Sequence, residues 1–74
     1  MTRVLHLLRG DDADLMLTVI VGQRAAGDDI TVVRLPGAPT INLPAGVKTQ
    51  RVPDDLTYEA LLQEIFAADQ IITW

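Results

Sequence analysis

Thr57-Tyr58-Glu59-Ala60-Leu61-Leu62-Gln63-Glu64-Ile65-Phe66-Ala67-Ala68-Asp69-Gln70-Ile71-Ile72-Thr73-Trp74 is the stretch that decides the fold class. Tyr58, Leu61, Leu62, Ile65 and Phe66 recur at the i, i+3, i+4, i+7 and i+8 spacing of one helix face. Glu59, Gln63 and Glu64 fill much of the opposite side, and Thr57 stands where an N-cap belongs. Asp69-Gln70 closes the helix. The period then changes, because Ile71-Ile72-Thr73-Trp74 is a short apolar, β-branched run that reads as a strand. Tyr58 and Phe66, flanking the apolar side, are expected in the core.

Upstream the same alternation repeats. Val47-Lys48-Thr49-Gln50-Arg51-Val52 alternates and stops at Pro53, which predicts an exposed strand. Leu35 to Gly46 holds Pro36, Gly37, Pro39, Pro44 and Gly46, too many breakers for a helix, although Thr40-Ile41-Asn42-Leu43 fits a short extended piece. Ile30-Thr31-Val32-Val33-Arg34-Leu35 is a clear strand pattern. Leu15 to Ala26 is ambiguous, since Leu15–Val21 is rich in β-branched residues. The acids before it, the Gln23-Arg24-Ala25-Ala26 tail and Gly27 at a C-capping position favour a helix. Val4-Leu5-His6-Leu7-Leu8, closed by Arg9-Gly10, reads as a buried strand. The order strand, helix, strand, linker, strand, helix, strand predicts an α/β fold: a small, open, mostly parallel sheet of about four strands with two helices and right-handed crossovers.

The chain has 74 residues, enough for a single domain spanning 1–74. A chain of this size buries only about 60–65% of its unfolded surface, so its core is marginal without a staple. There is no cysteine, which removes disulfides, thiolate metal sites and thiol nucleophiles, and leaves association with another subunit as the remaining common staple. The first helix points the same way. Leu15, Met16, Leu17, Val19, Ile20 and Val21 are apolar over more than one stripe. Met16, Val19 and Ile20 are therefore the candidate oligomer contacts. Six Lys and Arg against ten Asp and Glu give a net charge of −4, so no direct nucleic-acid partner is expected. The longest apolar stretch, Leu15–Val21, is far short of a bilayer span and no signal segment opens the chain. A cytoplasmic location without membrane contact is the expectation.

Candidate sites are few. The loop Arg9-Gly10-Asp11-Asp12-Ala13-Asp14 sits where nucleotides bind open parallel sheets, but it lacks a glycine fingerprint and its three carboxylates repel phosphate. Asp11, Asp12 and Asp14 could gather a hard cation, yet helix capping and solubility explain them more simply. Serine is absent, which excludes a Ser-His-Asp triad, and the one histidine, His6, lies within an apolar strand and reads as a hydrogen-bonded core residue. Arg9, Arg34 and Arg51 each fall at or near the carboxyl end of a predicted strand and should share one sheet edge, where they could hold an anion or a partner's carboxylates. Local ion pairs of Arg9 with Asp11 and Asp12, and of Arg51 with Asp54 and Asp55, are the simpler account; Arg34 has no acid close in sequence. Trp74 either packs into the fold or faces a partner. No catalytic residue, metal or cofactor is expected.

Val4-Leu5-His6-Leu7-Leu8 resembles the LHT(L/V) opening of the DsrH/TusB family, and Gly27-Asp28-Asp29-Ile30-Thr31-Val32-Val33 resembles its second strand. Val47 to Leu56 is similar to the family's strand and Asp-Leu turn, and Tyr58 to Trp74 to its closing helix, strand and tryptophan. The resemblance covers nearly the whole chain through soft hydrophobic patterns. It implies a DsrE-like α/β fold, and assembly with itself or with DsrE/TusD-like and DsrF/TusC-like subunits. Such complexes pass persulfide sulfur in tRNA 2-thiolation or sulfur oxidation. Two departures matter. Pro36–Gly46 replaces a helical segment, and the cysteine some members carry near Val19-Ile20 is missing. The resemblance therefore implies a non-catalytic scaffold or partner-binding subunit. A stand-alone self-associating module that binds a small anion at Arg9, Arg34 and Arg51 is the alternative, and a metal enzyme built on the acidic loop a more distant one.

Overall fold

The computed structural model describes residues 2–10, 12–38 and 41–74. Its elements run β1 (Arg3–Leu8), α1 (Ala13–Ala25), β2 (Asp29–Arg34), β3 (Lys48–Arg51), α2 (Tyr58–Ala67) and β4 (Gln70–Thr73). The four strands form one sheet in the order β3-β2-β1-β4. Every neighbouring pair is parallel, with Val4 opposite Ile30 and Gln70, and Thr31 opposite Lys48. The α/β class and the parallel sheet expected from the sequence are present. Strand and helix ends differ from the sequence reading by one to three residues, where fraying makes boundaries soft.

Side-chain alternation along β1 and β2 divides the core in two. Leu8, Ile30 and Val32 pack under Met16 and Ile20 of α1. Leu5 and Val33 project from the opposite face and pack with Val52, Leu56 and Leu61 of the α2 side. The chain steps from β1 to β2 to β3 and then returns past them to β4. Crossovers of one hand that travel in opposite directions must lie on opposite faces. That is why one helix covers each side. The Pro- and Gly-rich connection between β2 and β3 lies on the α1 side, where Ala38, Ile41, Leu43 and Val47 pack against the core in place of a helix. Ile41, Asn42 and Leu43 form no strand, and the rest of the short extended piece expected there, Thr40, lies outside the described residues.

Helix ends follow local chemistry. Gly27 adopts φ +85, and the N–H groups of Gly27 and Asp28 bond the carbonyls of Arg24 and Gln23, the 5→2 and 6→1 pair of a Schellman cap. Thr57 accepts a 3.1 Å hydrogen bond from the Ala60 N–H. At the start of α1 the expected side-chain cap is missing: Asp12 occupies the N-cap position but makes no capping bond. Asp11 lies outside the described residues, and with it part of the proposed acidic cluster. Among the described residues no three His, Asp or Glu side chains gather as metal ligands, and no helix is long and apolar enough to cross a membrane.

Candidate functional site

The buried polar centre of the molecule is a chain of three side chains. His6 alternates with the apolar residues of β1 and is fully enclosed on the α1 side. Gln23, from the last turns of α1, lies 2.7 Å from His6 Nε2 through Oε1. On the other side Trp74, following β4, donates Nε1–H to His6 Nδ1 at 2.9 Å. The two rings lie 6.1 Å apart and nearly parallel. An indole N–H can only donate, so Nδ1 is the acceptor and Nε2 carries the proton given to Gln23. Burial pushes the His6 pKa below its usual value, and the Gln23 hydrogen bond opposes that only in part. With both ring nitrogens engaged, His6 has no free lone pair for base catalysis. It is the hydrogen-bonded core residue that its apolar neighbours suggested. Trp74 packs inward against the α1 core.

The three arginines do not all meet. Arg34 and Arg51 end neighbouring strands in register, and both line a depression of about 180 Å³ between the carboxyl ends of β2 and β3. Arg9 is exposed in the loop after β1 and does not line it. Arg51 is engaged by Asp55 at 3.2 Å and reaches Asp54 at 4.0 Å. The hydrogen bond from Arg51 holds the Asp55 carboxyl below its ordinary pKa. Arg34 donates from Nη2 to the Ala38 carbonyl at 3.5 Å. Two carboxylates thus stand beside two guanidinium groups, and their charges offset one another.

Of the oligomer contacts expected on α1, Met16 and Ile20 are corrected: both are fully buried under the chain's own sheet and offer nothing to a partner. Helical spacing alone cannot say which side of an all-round apolar helix the sheet will take. Val19 is half-buried, and the large apolar residues that α1 exposes are Leu15 and Val21. The larger correction concerns α2. Tyr58 and Phe66, expected in the core, are 61% and 79% exposed, with Leu62 between them at 51%. Only Leu61 of this helix is fully buried, with Ala60 and Ile65 partly so. Four residues apart on one helix, Tyr58, Leu62 and Phe66 form a continuous apolar flank in solvent.

A cavity of about 290 Å³, missed from the sequence, opens between the last turn of α2 and the amino ends of β1, β2 and β3. Arg3, Asp29, Lys48 and Glu64 surround it over a floor that includes Leu5. The sequence scatters these four residues over four elements, so no local motif announces them. Two cations facing two anions suit a small zwitterion better than a phosphate.

No family model, curated protein or solved structure matches the chain.

Proposed function

We propose that this chain is a non-catalytic, partner-binding subunit of a sulfur-relay assembly of the DsrE/TusBCD kind, working in the cytoplasm in sulfur metabolism or tRNA 2-thiolation. The observation that carries the binding role is the solvent-facing apolar flank of α2. Single exposed apolar residues are ordinary, but three large ones in a row on an 8.1 kDa chain are costly to leave in water and characteristic of an interface. The non-catalytic half rests on chemistry. The chain has neither cysteine nor serine, and its one histidine is held between Gln23 and Trp74. Sulfur would stay on partner cysteines while this subunit shaped the assembly. The assignment to a sulfur relay draws on the DsrH/TusB-like sequence pattern.

The test is co-expression with the proteins encoded beside it, cysteine-bearing DsrE-like and DsrF-like ones being the expected partners, followed by native mass spectrometry of the purified mixture. A mixed complex of fixed stoichiometry is expected. Failure to join any such neighbour would overturn the proposal. The anion-binding alternative predicts that sulfate or phosphate raises the melting temperature of the wild type but not of Arg34→Gln; the carboxylates at Asp54 and Asp55 weigh against it.

A further inference from the structure

The two edges of the sheet are built differently. β3, at one edge, reads Lys48-Thr49-Gln50-Arg51 and carries a cation at each end. Charges placed this way are the usual guard against edge-to-edge pairing. β4, at the other edge, reads Gln70-Ile71-Ile72-Thr73, with no charge and no proline. Among the described residues it pairs only with β1, so its outer row of N–H and C=O groups is open to another strand.

The apolar flanks of both helices lie over this same edge. On α2, Glu64 and Ala67 line the cavity against Thr31 and Lys48, so that side of the helix leans toward β2 and β3. At about 100° per residue, Tyr58 and Leu62 fall on the opposite flank, with Phe66 beside them, toward β4. Ile71 is opposite Leu5 in register, which puts it on the α2 side of the sheet, and it is 43% exposed. On α1, the Arg24 guanidinium lies against Gly46 of the β2–β3 connection, so that flank leans away from β4. The opposite flank carries Val19 and Leu15, the latter 57% exposed. An occupant of this edge must supply a strand with an apolar helix flank above and another below it. The chain's own β4 edge has that shape.

We infer that two copies of the chain pair antiparallel through β4, about a twofold axis perpendicular to the sheet, giving one continuous eight-stranded sheet with α2 meeting α2 on one face and α1 meeting α1 on the other. This rests on the partner-binding reading of the same surface and names its occupant. The size is adequate. With aromatic side chains near 200 Å², the exposed parts of Leu15, Tyr58, Leu62, Phe66 and Ile71 come to roughly 500 Å² per copy. That is more than a tenth of the 4566 Å² surface. Two copies reach about 1,000 Å², the lower bound for a specific interface. Net charge −4 on each copy opposes pairing, so added salt should strengthen it.

The absence of cysteine makes a clean test possible. Sedimentation equilibrium of the wild-type chain alone should show a dimer whose dissociation constant falls when salt is raised from 50 to 500 mM (a range of about tenfold in ionic strength). Phe66→Glu and Ile71→Lys should each weaken it at least tenfold while circular dichroism keeps the helix and strand signal. Val21→Glu, on the Arg24 side of α1, should leave it unchanged. In single-cysteine variants, oxidation should cross-link Ile71→Cys or Ile72→Cys, and Thr49→Cys on β3 should form no cross-link. A monomer at 0.1 mM (well above micromolar dimer affinities), a dimer indifferent to Phe66→Glu and Ile71→Lys, or cross-linking through Thr49→Cys would each overturn the inference. A monomer that still joins DsrE-like neighbours would overturn this inference alone and leave the proposed function standing.

Discussion

Replacing Trp74 with phenylalanine keeps an aromatic ring over the α1 core and deletes one N–H. In the wild type that N–H is given to His6 Nδ1 at 2.9 Å, and His6 is fully enclosed. The variant leaves a buried acceptor without its donor, which costs about 1–3 kcal/mol, against the net 0.5–1.5 kcal/mol of an ordinary hydrogen bond. For a chain of this size each kcal/mol moves the melting midpoint by about 4–8 °C, so Trp74→Phe should melt roughly 5–20 °C lower. Urea unfolding followed by far-ultraviolet circular dichroism measures the free energy, and an unchanged m-value shows that the native fold has been kept. A long-range ¹⁵N–¹H spectrum of the wild type should show His6 as the Nε2–H tautomer, and in the variant Nδ1 should lose its hydrogen-bonded shift. A loss under about 0.5 kcal/mol, below the lower end of the range for an orphaned acceptor, or an Nδ1–H tautomer in the wild type, would refute the reasoning.

The remaining predictions concern pH and backbone. The His6 pKa lies below 6.5 in the folded chain, chiefly because burial disfavours the cation. Below pH 6.5 the unfolded chain therefore binds the extra proton first, and stability falls as pH drops from 6.5 toward the depressed value; chemical denaturation from pH 8 to 5 should show this step, and His6→Leu should abolish it. Asp55 titrates below its usual value because of its hydrogen bond from Arg51, so its contribution is intact above pH 4 and fades as acid protonates it. Because both side chains are about half exposed to solvent, Asp55→Asn should leave the neutral-pH midpoint nearly unchanged and alter only the acid limb of the profile. Gly22 lies inside α1, and a Cβ there would meet no neighbouring atom within 4 Å, so Gly22→Ala should stabilise the chain by about 0.5–1 kcal/mol in urea titration. Gly46→Ala should do the opposite, because φ is +88 and a Cβ would come within 2.8 Å of the Arg24 guanidinium.

The elements were legible in the sequence because their signals are local. Thr57, Gly27 and the Pro- and Gly-rich connection punctuate the chain at the places where the helices and strands stop, and the β-branched runs pair as expected. Which side of a helix faces the sheet is not local. Tyr58, Leu61, Leu62, Ile65 and Phe66 span a wide apolar arc, and the surface offered by Leu5 of β1 and Val33 of β2 covers only the Leu61 and Ile65 part of it. The same reason misplaced Met16 and Ile20, whose burial depends on how α1 rolls over β2. Arg34 and Arg51 were placed together because each falls at the carboxyl end of its strand, and the two strands pair in register. Arg9 was expected beside them, but it lies exposed in the loop after β1 and does not line their depression. Gln23 carried no signal at all, because its partner His6 lies 17 residues away and on another element.

The strand order also fixes a sequence of events in time. β1 is synthesised before the other strands of the sheet, yet one of its two neighbours is the last of them, and Arg3 and Asp69, which bond at its base, stand 66 positions apart. On a ribosome, β2 is in hand once residue 34 has emerged, but β1 keeps an uncovered side until residues 70–73 are added. At about 5–20 residues per second that wait lasts roughly 2–8 s, longer than a chain of this size needs to fold once complete. The period in which its central apolar strand lies open to aggregation or to a chaperone is set by the pace of translation.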